Sequence, residues 1–354
     1  NPKERSGEFE DLCMGSCLAR NRRKQPKAKL SSKLSEELTK IMEGAWSLRV
    51  CARGCDQDVS VVSSSSSSSG GGGVGADRPA LRRTVILKRG SRRHLAHSLL
   101  AAKLLDSTPV PIPRVLCGDA EGDSGIPEWG YLVEEAASGE EMWLVYGELS
   151  AEAKESIWKH LGELMATYHA VQMEGFGDVG FDGKGIHSRY PMEPAKDDLE
   201  AFCKAQVVSS EEIKMLRAYL RSEKVMQMNR RVTESVPLHE DLEMDNLFVD
   251  RKTAKISAII DWADLHCGPR SEDFARLYCR LHPEPKCWEA LLEGYSKLAK
   301  PPSHEEIELR VVELLLWLLP GKRENAQKKR ADERDAQDYN RCRQLFLSIV
   351  RRSQ

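Results

Sequence analysis

Residues 238–250, LHEDLEMDNLFVD, combine side chains that could transfer a phosphoryl group. Four residues separate Asp241 from Asn246, and the downstream segment TAKISAIIDWADL contains an apolar run that ends at Asp261. Phosphoryl transfer needs a carboxylate that orients the attacking hydroxyl and accepts its proton, together with oxygen ligands for Mg²⁺. The spacing therefore predicts Asp241 as the base and Asn246 and Asp261 as magnesium ligands. The alternative is a solvated acidic turn that leads into a strand.

A lysine is the further group that this chemistry requires, because a cation from the opposite lobe must hold the phosphates. Lys88 lies in RRTVILKRG, a stretch typical of a strand, and is the candidate. Val85 and Leu87 are predicted on one face of this strand, and Ile86 and Lys88 on the other. The assignment of Lys88 depends on the order of the elements, since a single strand lysine is more often solvated.

The elements that must position these residues change character along the chain. Strand patterns and one long helix come first, and mostly amphipathic helices follow from residue 150. This order is typical of an α+β fold with a small sheet-rich lobe and a larger helical lobe, and sites commonly lie between such lobes. The predicted division is a disordered basic tail at 1–29, an N-lobe at 30–135 with a flexible Ser/Gly insertion at 61–77, and a C-lobe at 136–354. Helical patterns in the last part cover 197–230, 286–299, 304–319 and 323–351.

The bulk composition disfavours several classes of function. The chain has 354 residues, a formal net charge of −2 and 31% charged residues, so its charge does not favour a nucleic acid or a membrane as the main partner. Its apolar runs are shorter than the roughly 20 residues that cross a bilayer. The polar start, NPKERSGEFEDLC, does not resemble a secretory signal, so we expect the ten cysteines to be reduced thiols and the location to be cytoplasmic. Oligomeric state is not predicted.

The sequence resembles the aminoglycoside phosphotransferase (choline-kinase-like) branch of the protein-kinase-like fold, and fungal members in particular. LHEDLEMDNLFVD looks like that family's catalytic loop, usually His-Gly-Asp-x-x-x-x-Asn, and IIDWADLHCGPRSEDFARL looks like its magnesium segment. YLVEEAASG is similar to its hinge, and YHAVQMEGFGDVGFDG to its first C-lobe helix and the loop that follows. The spacing from Asp241 to Asn246 also equals that of the protein-kinase catalytic loop. The resemblance covers roughly residues 34–320.

The resemblance implies a protein-kinase-like two-lobe fold and an ATP- and Mg²⁺-dependent kinase that phosphorylates a hydroxyl of a small molecule. Asp241 would be the catalytic base, with Asn246 and Asp261 as the metal ligands. The remaining implied roles are bracing of the catalytic loop by His239, support of that loop by Asp273, phosphate contact by Lys88, a phosphate-covering segment that includes Gly44 and Ser47, and adenine contact by the backbone around Glu134 and Glu135.

One departure from the kinase pattern concerns the helix after Lys88. An active kinase pairs this lysine with a helix glutamate, whereas SRRHLAHSLLAAKLLDS has His97 or Ser98 at about that place. Either a different acid pairs with Lys88, or the lysine is poorly positioned. The second case would make the chain a pseudokinase that binds nucleotide or a protein without turnover. A protein kinase is disfavoured, because Asp-Phe-Gly and Ala-Pro-Glu segments are missing. Glu240 also replaces the usual glycine beside the base.

Overall fold

The computed structural model of the chain describes residues 32–42, 46–53, 57–64, 84–119, 129–192, 194, 196–282, 284–327 and 333–352. The predicted tail at 1–29 lies outside these residues. In the described part of the chain, no helix combines the length and the apolar character needed to cross a membrane.

The N-terminal lobe is built on one antiparallel sheet of five strands, in the order β1-β2-β3-β5-β4. Its elements are α1 (Ser32–Ile41), β1 (Trp46–Arg53), β2 (Gln57–Ser64), β3 (Thr84–Ser91), α2 (Arg92–Leu105), β4 (Val115–Asp119) and β5 (Trp129–Glu135).

The C-terminal lobe is mostly helical and carries two small sheets, β11-β10-β6 and β8-β7-β12-β9. Its elements are β6 (Glu140–Glu141), α3 (Met142–Val145), α4 (Ala151–Tyr168), β7 (Phe176–Val179), β8 (Gly185–His187), α5 (Lys196–Lys204), α6 (Ser210–Leu220), α7 (Glu223–Arg230), β9 (Val236–Leu238), β10 (Leu247–Asp250), β11 (Lys255–Ile259), β12 (His266–Gly268), α8 (Ser271–Leu281), α9 (Pro285–Ser296), α10 (His304–Gln327) and α11 (Glu333–Arg352). The predicted α+β class with a sheet-rich and a helical lobe is confirmed.

Alternation along β3 separates the core of the N-terminal lobe from the site. Val85 and Leu87 are fully buried and pack with Leu38 of α1 in one apolar cluster. Because neighbouring residues of a strand point to opposite faces, Lys88 faces away from this cluster. The facing predicted for the strand is therefore confirmed, and the sheet presents Lys88 toward the other lobe.

Two predicted boundaries are wrong. The Ser/Gly insertion was expected to begin at residue 61, but residues 61–64 belong to β2, where Val62 is buried and pairs with Val85. Pairing on both sides, with β1 and β3, outweighs the weak strand preference of a serine-rich stretch. The break expected between 319 and 323 is also wrong, since α10 continues through Pro320 to Gln327. Leu315, Leu316 and Leu319 pack into the core before the proline, so burial holds the helix there.

Helices α4 and α9 cross at two glycines, where their backbones are in close contact. A Cβ added at Gly162 would overlap the carbonyl oxygen of Leu291, and one at Gly294 would overlap the carbonyl oxygen of Lys159. Glycine costs helix stability, so its presence in both helices here is explained by the contact between the two backbones. The crossing holds α4, which ends beside the site, against the rest of the lobe.

We expect Gly162→Ala to destabilise the protein by about 1–2 kcal/mol, because overpacking costs roughly 1–3 kcal/mol and exceeds the gain of up to about 1 kcal/mol in helix propensity. Urea unfolding measures the change. Gly147→Ala is the control, since a Cβ at Gly147 meets nothing within 4 Å. A more stable Gly162→Ala variant would contradict the close crossing.

Candidate active site

The loop after β9 is held by backbone hydrogen bonds to one carboxylate. The amide groups of His239 and Glu240 both donate to Oδ1 of Asp273, each at a distance of 3.1 Å. The amide of Asp241 donates to Nδ1 of His239 at 3.3 Å. Because Nδ1 accepts, the proton of the ring lies on Nε2, which donates to the carbonyl oxygen of Ile260 at 2.8 Å. His239 thus links the loop to the end of β11.

Asp273 links α8, the end of α4 and the loop after β9. It is fully buried on α8, and its Oδ2 accepts from the Tyr168 hydroxyl at 2.6 Å and from Nε2 of His169 at 3.2 Å, both at the end of α4. Burial raises the pKa of Asp273, but the hydrogen bonds from His169 and Tyr168 outweigh it and lower the pKa below its usual value. The side chain therefore supports the loop as a carboxylate.

Asp241 has a donor at each carboxylate oxygen. The Asn246 amide nitrogen donates to the backbone oxygen of Asp241 at 2.8 Å and to its Oδ2 at 3.0 Å. The guanidinium of Arg276, on α8, lies 3.4 Å from Oδ1. The Asp241 side chain is nevertheless 40% exposed, so its orientation is fixed while an acceptor molecule can still reach it.

The β10–β11 hairpin brings Asn246 and Asp261 together. Leu247 pairs with Ile259, and the Ile260 amide donates to the carbonyl oxygen of Asn246 at 2.9 Å. Asp261 follows directly in the left-handed region, with φ 62° and ψ 57°. A non-glycine residue there costs about 1–2 kcal/mol, and such strain is common at functional sites. The Asp261 side chain is 44% exposed and faces the site.

The donor set of Asn246 and Asp261 fits Mg²⁺. The amide nitrogen of Asn246 is directed at Asp241, so the amide oxygen is the atom that a cation could use. Mg²⁺ prefers oxygen ligands, keeps several waters, and is usually bound by one or two carboxylates together with substrate phosphates. A carboxylate and an amide oxygen beside each other, on one hairpin, are ligands of this kind.

Lys88 forms a buried ion pair with Glu134 of β5. Its Nζ lies 2.9 Å from Oε1 of Glu134 and 3.9 Å from Oδ1 of Asp261. Burial lowers the pKa of Lys88, but Glu134 and Asp261 outweigh it and the pKa is raised, so the lysine is a cation. The sequence alone does not show which acid pairs with Lys88, and in the structure Glu134 is that acid.

Helix α2 does not supply the partner of Lys88. Ser98 lines the same small cavity as Lys88 and Glu134, but its hydroxyl donates to the carbonyl oxygen of His94 at 3.1 Å. His97 faces the C-terminal lobe, with its ring nitrogens 2.9 Å from the Ala263 oxygen and 2.7 Å from the Val179 oxygen.

Gly44 and Ser47 are the two residues predicted in the phosphate-covering segment. Gly44 lies outside the described residues. The prediction for Ser47 is wrong, because Ser47 is in β1 opposite Ser63, four positions along β2 from Val59, the partner of Lys88. At a rise of about 3.3 Å per residue, Ser47 is displaced roughly 13 Å from the lysine along the strand direction. Residues 54–56, which separate β1 and β2 in the sequence, lie outside the described residues.

Glu134 and Glu135 lie at the end of β5, before the chain enters the C-terminal lobe. The Glu134 side chain turns to Lys88, and the Glu135 amide donates to the carbonyl oxygen of Arg114 at 2.9 Å. That amide is therefore engaged within the sheet. Contact between adenine and the backbone here stays a prediction.

Two features of the site were not predicted from the sequence. One is the contact of Arg276 with Asp241, and the other is the ion pair that the Glu134 side chain forms with Lys88. Arg276 lies three positions after Asp273 on α8, a spacing that puts both side chains on one helix face, so this signal was available. Its guanidinium also lies 3.9 Å from Glu243. Burial lowers the pKa of Arg276, but the carboxylates of Asp241 and Glu243 raise it by more, so the net shift is upward.

Glu240 and Glu272 are neighbouring carboxyl groups beside the base. Glu240 is partly buried in the left-handed region, at φ 62°, where glycine is the usual residue. Burial and the neighbouring Glu272 raise its pKa well above the usual range. Burial also raises the pKa of Glu272, to about 7, although Tyr190 donates to it at 2.8 Å. The native fold therefore favours a protonated Glu240.

We expect Glu240→Gln to stabilise the protein at pH 8 but not at pH 4. A carboxyl group with a raised folded-state pKa lowers stability as the pH rises above its unfolded value of about 4.3, and the amide does not titrate. Thermal unfolding of both proteins from pH 4 to pH 8 measures the difference. Parallel curves over this range would contradict the raised pKa of Glu240.

Solved structures of aminoglycoside phosphotransferases have a similar fold. A thermostable mutant of APH(4)-Ia (D198A), in a ternary complex with ADP and hygromycin B, aligns with a TM-score of 0.55 at 16% identity, over 90% of this chain and 98% of that one. A putative aminoglycoside phosphotransferase from Ralstonia eutropha aligns at 0.56 and 14%, over 92% and 98%. ADP-bound APH(2'')-Ib aligns at 0.51 and 13%, over 91% and 99%. At these identities the likeness shows the fold, which confirms the predicted protein-kinase-like architecture.

Family membership comes from the sequence. No curated protein sequence matches the chain, and similarity to fungal members in particular stays a prediction. The model of the phosphotransferase enzyme family (APH) matches residues 79–310, more than half of the chain and the whole segment from Lys88 to Asp273. The chain therefore belongs to the phosphotransferase enzyme family.

Proposed function

We propose that this phosphotransferase uses ATP and Mg²⁺ to phosphorylate a hydroxyl group of a small molecule. One observation carries the proposal, which is that the four groups lie together. The exposed carboxylate of Asp241 accepts a hydrogen bond from Asn246. Asp261 lies beside Asn246 on the same hairpin, and its Oδ1 is 3.9 Å from Nζ of the buried Lys88. These are the base, the two oxygen ligands and the phosphate-binding cation that phosphoryl transfer requires.

In the proposed reaction, Asp241 orients the acceptor hydroxyl and takes its proton. The acceptor oxygen then forms a bond to the γ-phosphorus, while the bond from that phosphorus to the bridging oxygen of ADP breaks. Lys88 stabilises the charge on the phosphates, and Asn246 and Asp261 would hold Mg²⁺, which when bound offsets that charge. Most of the rate acceleration would come from positioning and electrostatic stabilisation.

The comparisons support a nucleotide and a small-molecule acceptor. APH(4)-Ia binds ADP and hygromycin B in one complex, and APH(2'')-Ib binds ADP. The proposal takes from these proteins the class of reaction, and leaves the acceptor of this chain open. A cytoplasmic location, which reduced cysteines would need, is part of the proposal.

Mg²⁺-dependent ATP consumption by the purified chain tests the proposal, against a panel of hydroxylated amines, sugars and aminoglycosides. Turnover with one acceptor, abolished when EDTA replaces Mg²⁺, would establish a kinase and name its substrate class. Nucleotide binding without turnover on any acceptor would instead support the pseudokinase. Replacing the hydroxyl of the active acceptor by hydrogen should abolish phosphorylation.

A further inference from the structure

We propose that Glu134 on β5 performs the task that a helix glutamate performs in other kinases, which is to position the phosphate-binding lysine. The inference rests on the proposed function for its effect on turnover. It concerns a positioning residue, because Glu134 acts on the phosphates only through Lys88. It also predicts that movement of α2 does not control the position of Lys88.

The sheet register places the two side chains on the same face. Lys88 pairs with Leu132, and Glu134 pairs with Ile86, two positions before the lysine. Residues two apart share a face of the sheet, so Lys88 and Glu134 are diagonal neighbours across β3 and β5. Their terminal atoms are 2.9 Å apart, and both residues are buried. A buried cation requires a partner, and the sheet supplies one.

Helix α2 has neither the acid nor the freedom to do the same. Its sequence, RRHLAHSLLAAKLL, contains no Asp or Glu. His97 attaches it to the segment after Asp261 and to β7 through two carbonyl oxygens. Ala101 and Leu105 belong to the apolar core of the C-terminal lobe. The helix is thus fastened to the other lobe, and the partner of Lys88 comes from the sheet.

This arrangement removes a switch that other kinases use. Where the acid lies on a helix, movement of that helix makes or breaks the ion pair and so controls activity. Here both residues of the pair lie in neighbouring strands, so a shift of α2 leaves the pair intact. The structure therefore assigns a lysine that stays in place with or without nucleotide.

Glu134 also keeps Lys88 from closing on the metal ligand. The Nζ of Lys88 lies between Oε1 of Glu134, at 2.9 Å, and Oδ1 of Asp261, at 3.9 Å. Without the Glu134 charge, Asp261 would be the nearest anion to the lysine. The ammonium group would then compete with Mg²⁺ for Asp261, and the concentration of Mg²⁺ needed for half-maximal nucleotide binding would rise.

The test compares Glu134→Gln, which keeps the shape and removes the charge, with Ser98→Glu/Glu134→Gln, which moves the acid to α2 inside the same cavity. Glu134→Gln should lower kcat by about 10²-fold, as small misplacements of a positioned group do. It should also reduce the thermal shift caused by Mg²⁺ with AMP-PNP and raise the Mg²⁺ requirement. The double variant should recover at least part of each effect. Glu36→Gln, which removes an exposed glutamate–lysine pair with Lys40 in the same lobe, is the control and should change none.

The nucleotide readout separates this inference from the proposed function. If no acceptor is phosphorylated, a weaker AMP-PNP shift in Glu134→Gln and its recovery in the double variant still establish the role of Glu134. Unchanged or tighter nucleotide binding in Glu134→Gln would overturn the inference. So would a lower unfolding temperature without recovery in the double variant, because that result indicates a purely structural ion pair.

Discussion

Asp241→Asn is expected to lower kcat by about 10²–10⁴-fold, with the KM for ATP changed little. General-base catalysis contributes an effect of this size. The asparagine keeps an oxygen for the hydrogen bond from Asn246 but cannot accept the proton of the acceptor. The nucleotide contacts proposed for Lys88 and Asp261 stay in place. Steady-state kinetics with the acceptor found in the panel measures both parameters, and thermal shift with AMP-PNP checks that binding persists.

Asp250→Asn is the matched control for this variant. Asp250 lies at the end of β10 in the same polypeptide segment, and its carboxylate accepts from the Lys252 amide and the Thr253 hydroxyl at the surface. The same chemical change there should leave kcat unaltered. Equal activity of Asp241→Asn and the wild type would rule out Asp241 as the base.

Asp273→Asn is expected to destabilise the protein by about 2–4 kcal/mol at pH 7. Each oxygen of the Asp273 carboxylate accepts at least two hydrogen bonds. An asparagine amide offers only one oxygen. In the less costly orientation this oxygen takes the place of Oδ2, where the His239 amide still reaches it at 3.2 Å, and the Glu240 amide and the new NH₂ group are left without acceptors. Each buried group left unpaired costs about 1–3 kcal/mol. Urea unfolding at pH 7 measures the loss, again with Asp250→Asn as the control.

The effect of Asp273→Asn should shrink in acid. The folded-state pKa of Asp273 is lowered, so its carboxylate contributes stability above the unfolded-state pKa of about 3.9, and this contribution is lost as the pH falls through the folded-state pKa. The difference between wild type and variant should therefore narrow as the pH falls below about 3.9. A difference that stays constant from pH 7 to pH 3 would mean that packing, and not the charge, is responsible.

Asp273→Asn should also disturb the conformation of the catalytic loop. The amides of His239 and Glu240 depend on this side chain, and the Asp241 amide depends on the His239 ring. We expect kcat of Asp273→Asn to fall even at temperatures well below its unfolding transition. Unimpaired turnover in the folded variant would show that the loop holds its shape without this support.

The order of elements and the candidate chemical groups were accessible from the sequence because their signals are local. Asp241, Asn246 and Asp261 lie within 21 residues, and a hairpin between the last two is enough to bring them together. Alternation in β3 likewise indicated the face of Lys88. Where several residues contribute to one regular pattern, the period of the pattern reports which face is buried.

The partners of these groups could not be found in the same way. Glu134 meets Lys88 through the register of β3 and β5, across 46 residues of sequence, and a one-residue change of register would turn the glutamate to the opposite face. Ser47 was misplaced for the same reason, since only the pairing of β1 and β2 reveals which end of the hairpin it occupies. Composition and spacing name the groups that can do chemistry, whereas strand register and helix packing set the distances between them.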